Sequence, residues 1–207
     1  IYFTAGFPKL NDTAKILQHL EESGVDLIEI GIPFSDPLAD GPVIQHSSEI
    51  ALTNGMNLKL LFEQIEAYRI TNPHAQIPLI LMGYLNPIIQ FGIEKFCKKA
   101  KDCGISGIII PDLPLQEYLD DYKRLFEKHD LKNILLITPQ TSEERVKLID
   151  QHSTSFIYMV SSSSTTGSKG VMSEEQLTYF NRIKNYSLNN PTLIGFGISN
   201  NQSYEQA

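Results

Sequence analysis

Residues 27–32 read Leu27-Ile28-Glu29-Ile30-Gly31-Ile32, an apolar run broken once by a carboxylate and once by a glycine. The run is short for a helix and too continuously apolar for a sheet with one wet face. It predicts a parallel strand covered on both sides. Runs of the same kind recur at 1–6, 78–84, 107–112, 134–139, 156–161 and 192–197. Between them the apolar spacing turns helical: Leu58, Leu61, Phe62, Ile65 and Tyr68 mark one helix, and Leu115, Tyr118, Leu119, Tyr122, Leu125 and Phe126 another. Gly24, Gly55 and Gly104 stand where helices should stop, and Asn11, Ser142 and Ser173 where they should start. Of the two serine starts, only Ser173 has a glutamine three residues on, Gln176, to complete a capping box.

Seven strand–helix units fit either a (β/α) barrel or a doubly wound open sheet. The turn after the first run, Gly6-Phe7-Pro8-Lys9, lacks the glycine-rich nucleotide fingerprint and so disfavours the open sheet. The expected fold class is therefore α/β, a (β/α)8 TIM barrel. A complete barrel needs an eighth strand and typically about 250 residues. This chain of 207 residues opens inside a strand and ends in the seventh helix, residues 201–207. The expectation is a single partial-barrel domain over 1–207, without the N-terminal segment and the eighth βα unit.

A net charge of −7 argues against nucleic acid, whose phosphates need clustered Lys and Arg. Any anionic substrate must then be held by local groups against the overall field. No stretch approaches the roughly 18 consecutive apolar residues of a membrane span, and no charged-then-apolar leader opens the chain, so a cytoplasmic protein is expected. Cys97 and Cys103 fall on the apolar stripe Ile93, Phe96, Cys97, Ala100 and Cys103, as buried thiols of a reducing compartment would. The five histidines lie far apart in sequence, which leaves no metal site to read.

Catalytic groups of a barrel sit at the C-terminal ends of its strands and on the following loops. Candidates there are Thr4, Glu29, Asp40, Tyr84, Asn86, Asp112, Tyr158, the 161–170 loop and Gly195-Phe196-Gly197. Alternation places Glu29 with Leu27 and Gly31 on one face and the three isoleucines on the other. A carboxylate in a core position is costly unless paired or neutral, and no strand offers a Lys or Arg partner, so an active-site role is favoured over a structural ion pair. Asp40, in a proline-bordered loop after the same strand, could stand over the barrel mouth or simply make a turn. Two carboxylates in different surroundings can divide acid and base duties. The Ser- and Gly-rich 161–170 segment fits a lid as well as a linker, and Gly195-Phe196-Gly197 fits a phosphate cradle. No lysine stands at a strand end for a Schiff base and no His/carboxylate cluster for a metal. The residues by themselves reach carboxylate acid/base chemistry on a phosphorylated ligand.

The segment Glu29-Ile30-Gly31-Ile32-Pro33-Phe34-Ser35-Asp36-Pro37-Leu38-Ala39-Asp40-Gly41-Pro42 closely resembles the signature of the tryptophan synthase α family. Thr4-Ala5-Gly6-Phe7-Pro8, Met82-Gly83-Tyr84-Leu85-Asn86-Pro87, Pro111-Asp112-Leu113-Pro114 and Gly195-Phe196-Gly197-Ile198-Ser199 follow in family order, so the resemblance spans the chain. It implies a lyase of tryptophan biosynthesis that splits indole-3-glycerol phosphate into indole and glyceraldehyde 3-phosphate. It further implies catalysis by Glu29 and Asp40, and an indole pocket of Tyr2, Met82, Tyr84 and Ile137, with Tyr158 beside Glu29. Thr166, Gly167, Phe196 and Gly197 would hold substrate and phosphate. Asp36, Pro37, Asp40, Asn86 and Asp112 would face a β subunit in an α2β2 tetramer. No cofactor is implied for this chain; pyridoxal phosphate belongs to the β subunit. The chain departs from the family at Ser164, where the lid usually has glycine. Another phosphate-binding barrel of the same pathway would need strand-end lysines that are absent. A silent barrel that only activates a partner would have no use for Glu29 and Asp40.

Overall fold

Parallel strands form where the apolar runs stand. The computed structural model describes residues 1–161, 172–195, 198 and 200–206. The backbone gathers into two compact units, Ile1–Asn133 and Ile134–Ala207.

The first unit runs β1 (Tyr2–Thr4), α1 (Thr13–Glu22), β2 (Ile28–Gly31), α2 (Pro42–Thr53), α3 (Leu58–Thr71), β3 (Leu79–Met82), α4 (Leu85–Phe91), α5 (Ile93–Asp102), β4 (Ile105–Ile109), α6 (Leu115–Glu117), a π-helical turn (Tyr118–Tyr122), α7 (Lys123–Lys128) and β5 (Lys132–Asn133). Its sheet is parallel, in the order β1-β2-β3-β4-β5. Register places Tyr2 beside Glu29 and Glu29 beside Ile80; Thr4, Gly31 and Met82 form the next paired row. Paired residues of a parallel sheet share a face, and faces alternate along each strand. One face therefore carries Tyr2, Thr4, Glu29, Gly31, Ile80 and Met82. The other carries Phe3, Ile30, Leu81 and Ile108, of which Ile30, Leu81 and Ile108 have no exposed surface.

The helical stripes bury as their spacing requires. Leu58, Leu61, Phe62, Ile65 and Tyr68 of α3 are all buried, and the Phe62 ring packs on Phe91 and Phe96 at centroid distances of 5.7 and 5.5 Å. Arg69 donates to the carbonyls of Ala75, Ile77 and Gly104 at 3.0, 3.1 and 3.4 Å, tying α3 to the entries of β3 and β4. Gly24, Gly55 and Gly104 follow helix ends with φ of 74°, 94° and 68°, the left-handed conformation that ends a helix cheaply only at glycine.

The second unit runs β6 (Leu136–Ile137), α8 (Glu143–His152), β7 (Ile157–Val160), α9 (Glu174–Lys184), β8 (Thr192–Gly195) and α10 (Asn201–Gln206), with a parallel sheet in the order β6-β7-β8. Ser142 accepts from the Arg145 N–H, and Ser173 with Gln176 forms the full capping box. Asp150, buried on α8, accepts from the backbone and side-chain nitrogens of Asn189 and Asn190 at 2.8 and 2.9 Å.

Two readings need correction. Within the expected strand at 134–139 the paired part is Leu136–Ile137, against β7, and a further short strand, Lys132–Asn133, precedes it and pairs with β4. The polar Lys132-Asn133 pair is strand because of what it bonds to, which an apolar pattern cannot register. Helix α1 starts at Thr13 with Asp12, not Asn11, at its cap position, and no side chain caps it. Asn11 Oδ1 instead accepts from Gln64 Nε2 at 3.5 Å, and Thr13 Oγ1 accepts from the Gly6 N–H at 3.1 Å. The apolar stripe after 115 is helical as its spacing requires, with a π turn at its centre.

Candidate active site

Glu29 is the second residue of β2, on the face that also carries Tyr2 and Ile80. It is 8% exposed, and its Oε1 has no hydrogen-bond partner among the described residues. Burial pushes the carboxyl up to about 7, the amino group of Ile1 opposing the rise. Desolvation with only one weak opposing charge explains this direction: the neutral acid is the form the site accommodates.

Asp40 lies on the loop between β2 and α2, half-buried. Burial raises its carboxyl above the usual range, and a hydrogen bond from Tyr84 pulls it back. Tyr84 stands one residue beyond β3, at the N-cap of α4. Its hydroxyl accepts the Ala39 N–H at 2.9 Å, and its ring lies against Phe34 at a centroid distance of 5.2 Å. On the other side Gln45 Nε2 donates to the Asp40 carbonyl at 2.8 Å.

Tyr2 completes this cluster. Burial raises its phenol well above the usual range; the Thr4 bond opposes that, and the charges of Asp40 and Glu29 add to it. The phenol is thus within electrostatic reach of both carboxylates. Its hydroxyl lies 3.4 Å from Thr4 Oγ1, which in turn lies 2.7 Å from Ser47 Oγ of α2. Gly31 makes room for it, since a Cβ there would overlap the Tyr2 hydroxyl and ring edge. The second unit repeats the device, with the Tyr158 ring occupying the space a Cβ on Gly195 would need.

Tyr2, Glu29, Asp40 and Tyr84 are therefore brought together, with Met82 buried on the same sheet face. In the second unit Ile137 is buried at the end of β6, its carbonyl accepting from Tyr179, and Tyr158 is buried on β7. Thr166, Gly167, Phe196 and Gly197, and all but the first residue of the 161–170 loop, lie outside the described residues. Asp36, Asn86 and Asp112 are exposed and Pro37 is half-exposed. Asp36 accepts from the Ser35 hydroxyl, and Asp112 Oδ1 accepts the Leu85 N–H at 2.9 Å, capping α4. Sequence reasoning missed Phe34, Gln45 and Ser47. Only Ser47 left a signal, as a small polar residue on the inward stripe of α2 with Ser48 and Ala51.

The arrangement offers a buried group poised near neutrality and a second carboxylate in polar, half-open surroundings. Such a pair can exchange protons with a ligand and stabilise positive charge on it. Among the described residues no group of three His, Cys, Asp or Glu could hold a metal ion.

Comparison with known proteins follows the same lines. The family model described as "Tryptophan synthase alpha chain" matches residues 1–207. The tryptophan synthase alpha chain of Flavobacterium psychrophilum is 59% identical over 207 residues, all of this chain and 81% of that one. A crystal structure of the alpha chain from Legionella pneumophila subsp. pneumophila superposes with a TM-score of 0.85 at 36% identity, covering 99% of this chain and 73% of that chain. A Pyrococcus furiosus structure titled for mutual activation of the tryptophan synthase α2β2 complex has a TM-score of 0.85 at 35% identity, covering 96% and 77%.

Proposed function

The chain belongs to the tryptophan synthase alpha chain family, and from that premise we infer which of its residues carry the chemistry. Its fold class is the α/β barrel of that family. It is a lyase of tryptophan biosynthesis that cleaves indole-3-glycerol phosphate to indole and glyceraldehyde 3-phosphate, and its partner is the β subunit of an α2β2 complex.

Glu29 is the general acid/base. As the acid it protonates C3 of the indole ring, and as the base it helps remove the proton of the glycerol C3′ hydroxyl. The C3–C3′ bond then breaks: its electrons return to the ring and the hydroxyl carbon leaves as the aldehyde. Asp40 accepts a hydrogen bond from the indole N–H and stabilises the positive charge of the intermediate indolenine. The ring itself is the electron sink, so the reaction needs neither a lysine nor a metal from this chain, and pyridoxal phosphate is the β subunit's. By the family resemblance, Tyr2, Met82 and Tyr84 of the first unit, and Ile137 and Tyr158 of the second, take the indole end of the substrate. Thr166, Gly167, Phe196 and Gly197 take the glycerol phosphate end, and Asp36, Pro37, Asn86 and Asp112 meet the β subunit. Cytoplasmic placement fits a chain in which no helix of the described residues could cross a membrane.

The observation that carries this reading is the Glu29 carboxyl, buried, raised to about 7 and without a partner for Oε1 among the described residues, with Asp40 on the loop that follows its strand. Steady-state cleavage of indole-3-glycerol phosphate by the parent chain, Glu29→Gln and Asp40→Asn tests it. Glu29→Gln keeps the shape but cannot relay a proton, so kcat should fall on the order of 10²–10⁴-fold while a non-cleavable substrate analogue still binds. Asp40→Asn should lose several kcal/mol of transition-state stabilisation, read chiefly in kcat. A Glu29→Gln chain that keeps more than about a tenth of parental kcat removes Glu29 from this role. A rise in KM alone for Asp40→Asn reduces Asp40 to a binding contact.

A further inference from the structure

The Asp40 side chain needs a fixed direction, yet nothing local provides one. It stands on the segment between β2 and α2, outside both elements. The tertiary structure supplies what the segment lacks. The Tyr84 hydroxyl accepts the Ala39 N–H at 2.9 Å, at the residue before Asp40, and is near enough to the Asp40 carboxyl to favour its charged form. A phenol has a single proton to give and lone pairs to accept with, so the arrangement has one sense. Ala39 donates to Tyr84, which leaves the phenol's own proton to turn toward the carboxylate. The grip takes hold of the loop backbone at the residue before Asp40.

Tyr84 is itself held. Its side chain is 5% exposed, its ring lies on Phe34 of the same loop, and its backbone enters α4 beside the Leu85 N–H that Asp112 caps. From the opposite side Gln45 fixes the Asp40 carbonyl to the first turn of α2 at 2.8 Å.

We propose that the Tyr84 hydroxyl is a positioning group for Asp40, beyond the ring's part in the pocket wall, with Gln45 as the second grip. This rests on Asp40 acting on the substrate as described above. A group on a loop occupies its productive geometry only part of the time unless something holds it, and a small misplacement can lower a rate on the order of 10²-fold. A wall residue needs only the ring. A positioning residue needs the hydroxyl.

Tyr84→Phe separates the two, because phenylalanine keeps the ring. The expected result is a fall in kcat of about tenfold or more with a much smaller change in KM. Amide hydrogen exchange at Ala39, measured by NMR on the same variant, should accelerate as its acceptor is lost. A kcat within twofold of the parent overturns the proposal. So does a fall in kcat with Ala39 exchange unchanged, since the hydroxyl would then act on the substrate directly. If Tyr84→Phe does not fold, Gln45→Ala tests the other grip, with a smaller kcat loss and faster exchange at the loop amides expected, and parental values for both overturning it. A parent chain that does not cleave the substrate would defeat the assigned function, while Ala39 exchange would still report on the clamp.

Discussion

Glu29 is a carboxylate where the sheet would otherwise bury a hydrocarbon, and this has a consequence for stability that is separate from catalysis. Its value of about 7 in the folded chain lies above the roughly 4.3 of an unstructured glutamate. Between the two the folded state holds a proton that the unfolded state has released. The stabilising contribution is therefore complete below about pH 4.3, declines as pH rises and is gone above about pH 7. Glu29→Gln has no charge to bury. Its denaturation midpoint should gain on the parent's from pH 5 to pH 8, with a full difference on the order of 3 kcal/mol. A constant gap between the two chains across that range would show that the carboxyl is solvated. Glu29 was legible in sequence because a lone charge inside an apolar run stands out against its neighbours. That no described residue partners its Oε1 required the tertiary structure, since any strand or loop could have brought a partner.

At the scale of elements, the caps that could be read were local and complete within four residues, as at Ser142 and Ser173. Asp12, Gln45 and Asp150 were not legible, because their side chains serve or lack partners that the pattern around them does not contain. Asp150 is the clearest case. It sits among charged and apolar residues of α8, yet it organises the turn at Asn189 and Asn190 before β8. Burial alone would raise its carboxyl; the Asn189 and Asn190 donors overcome that and hold it below the usual range. Asp150→Ala should lower unfolding stability at pH 7 by about 2–3 kcal/mol, the scale of hydrogen bonds to a buried charge. A depressed value stabilises above the unfolded pKa, about 3.9, and the benefit goes as pH falls through the folded value. The difference between parent and variant should thus shrink only below about pH 4. A difference already lost at pH 5.5 would mean the carboxylate is not held as the bonds indicate.

On the scale of the whole molecule, the residues proposed for the chemistry and those proposed to meet the β subunit stand on shared elements. Leu38 is 86% exposed, and Val43 and Ile89 are also exposed, on the Asp40 loop, α2 and α4 respectively. The Ala39–Tyr84 bond joins that loop to the start of α4. Exposed apolar side chains on elements that also carry exposed Asp36 and Asn86 have the composition of a docking surface. A β subunit that binds there better when the loop is in its productive arrangement will shift the population toward it, and substrate will tighten the complex by the same factor. Ile89→Asp should raise the dissociation constant of the complex on the order of tenfold or more while leaving cleavage by the isolated chain unchanged. An unchanged dissociation constant would take α4 out of the interface. Equal cleavage rates with and without the β subunit would sink the coupling itself.

The sequence by itself determined the strands that stand in apolar runs, the helix ends marked by glycine or a capping serine, and the family, because each rests on period, punctuation or a run of neighbours along the chain. Only the tertiary structure decided that Lys132-Asn133 is strand, that Tyr2 passes over Gly31, and that Asp40 is held by Tyr84 and Gln45. The reason is the same in each case. A hydrogen bond or a close approach between residues far apart in sequence leaves no periodicity in either segment, and it exists only once the parallel strands have brought their ends together.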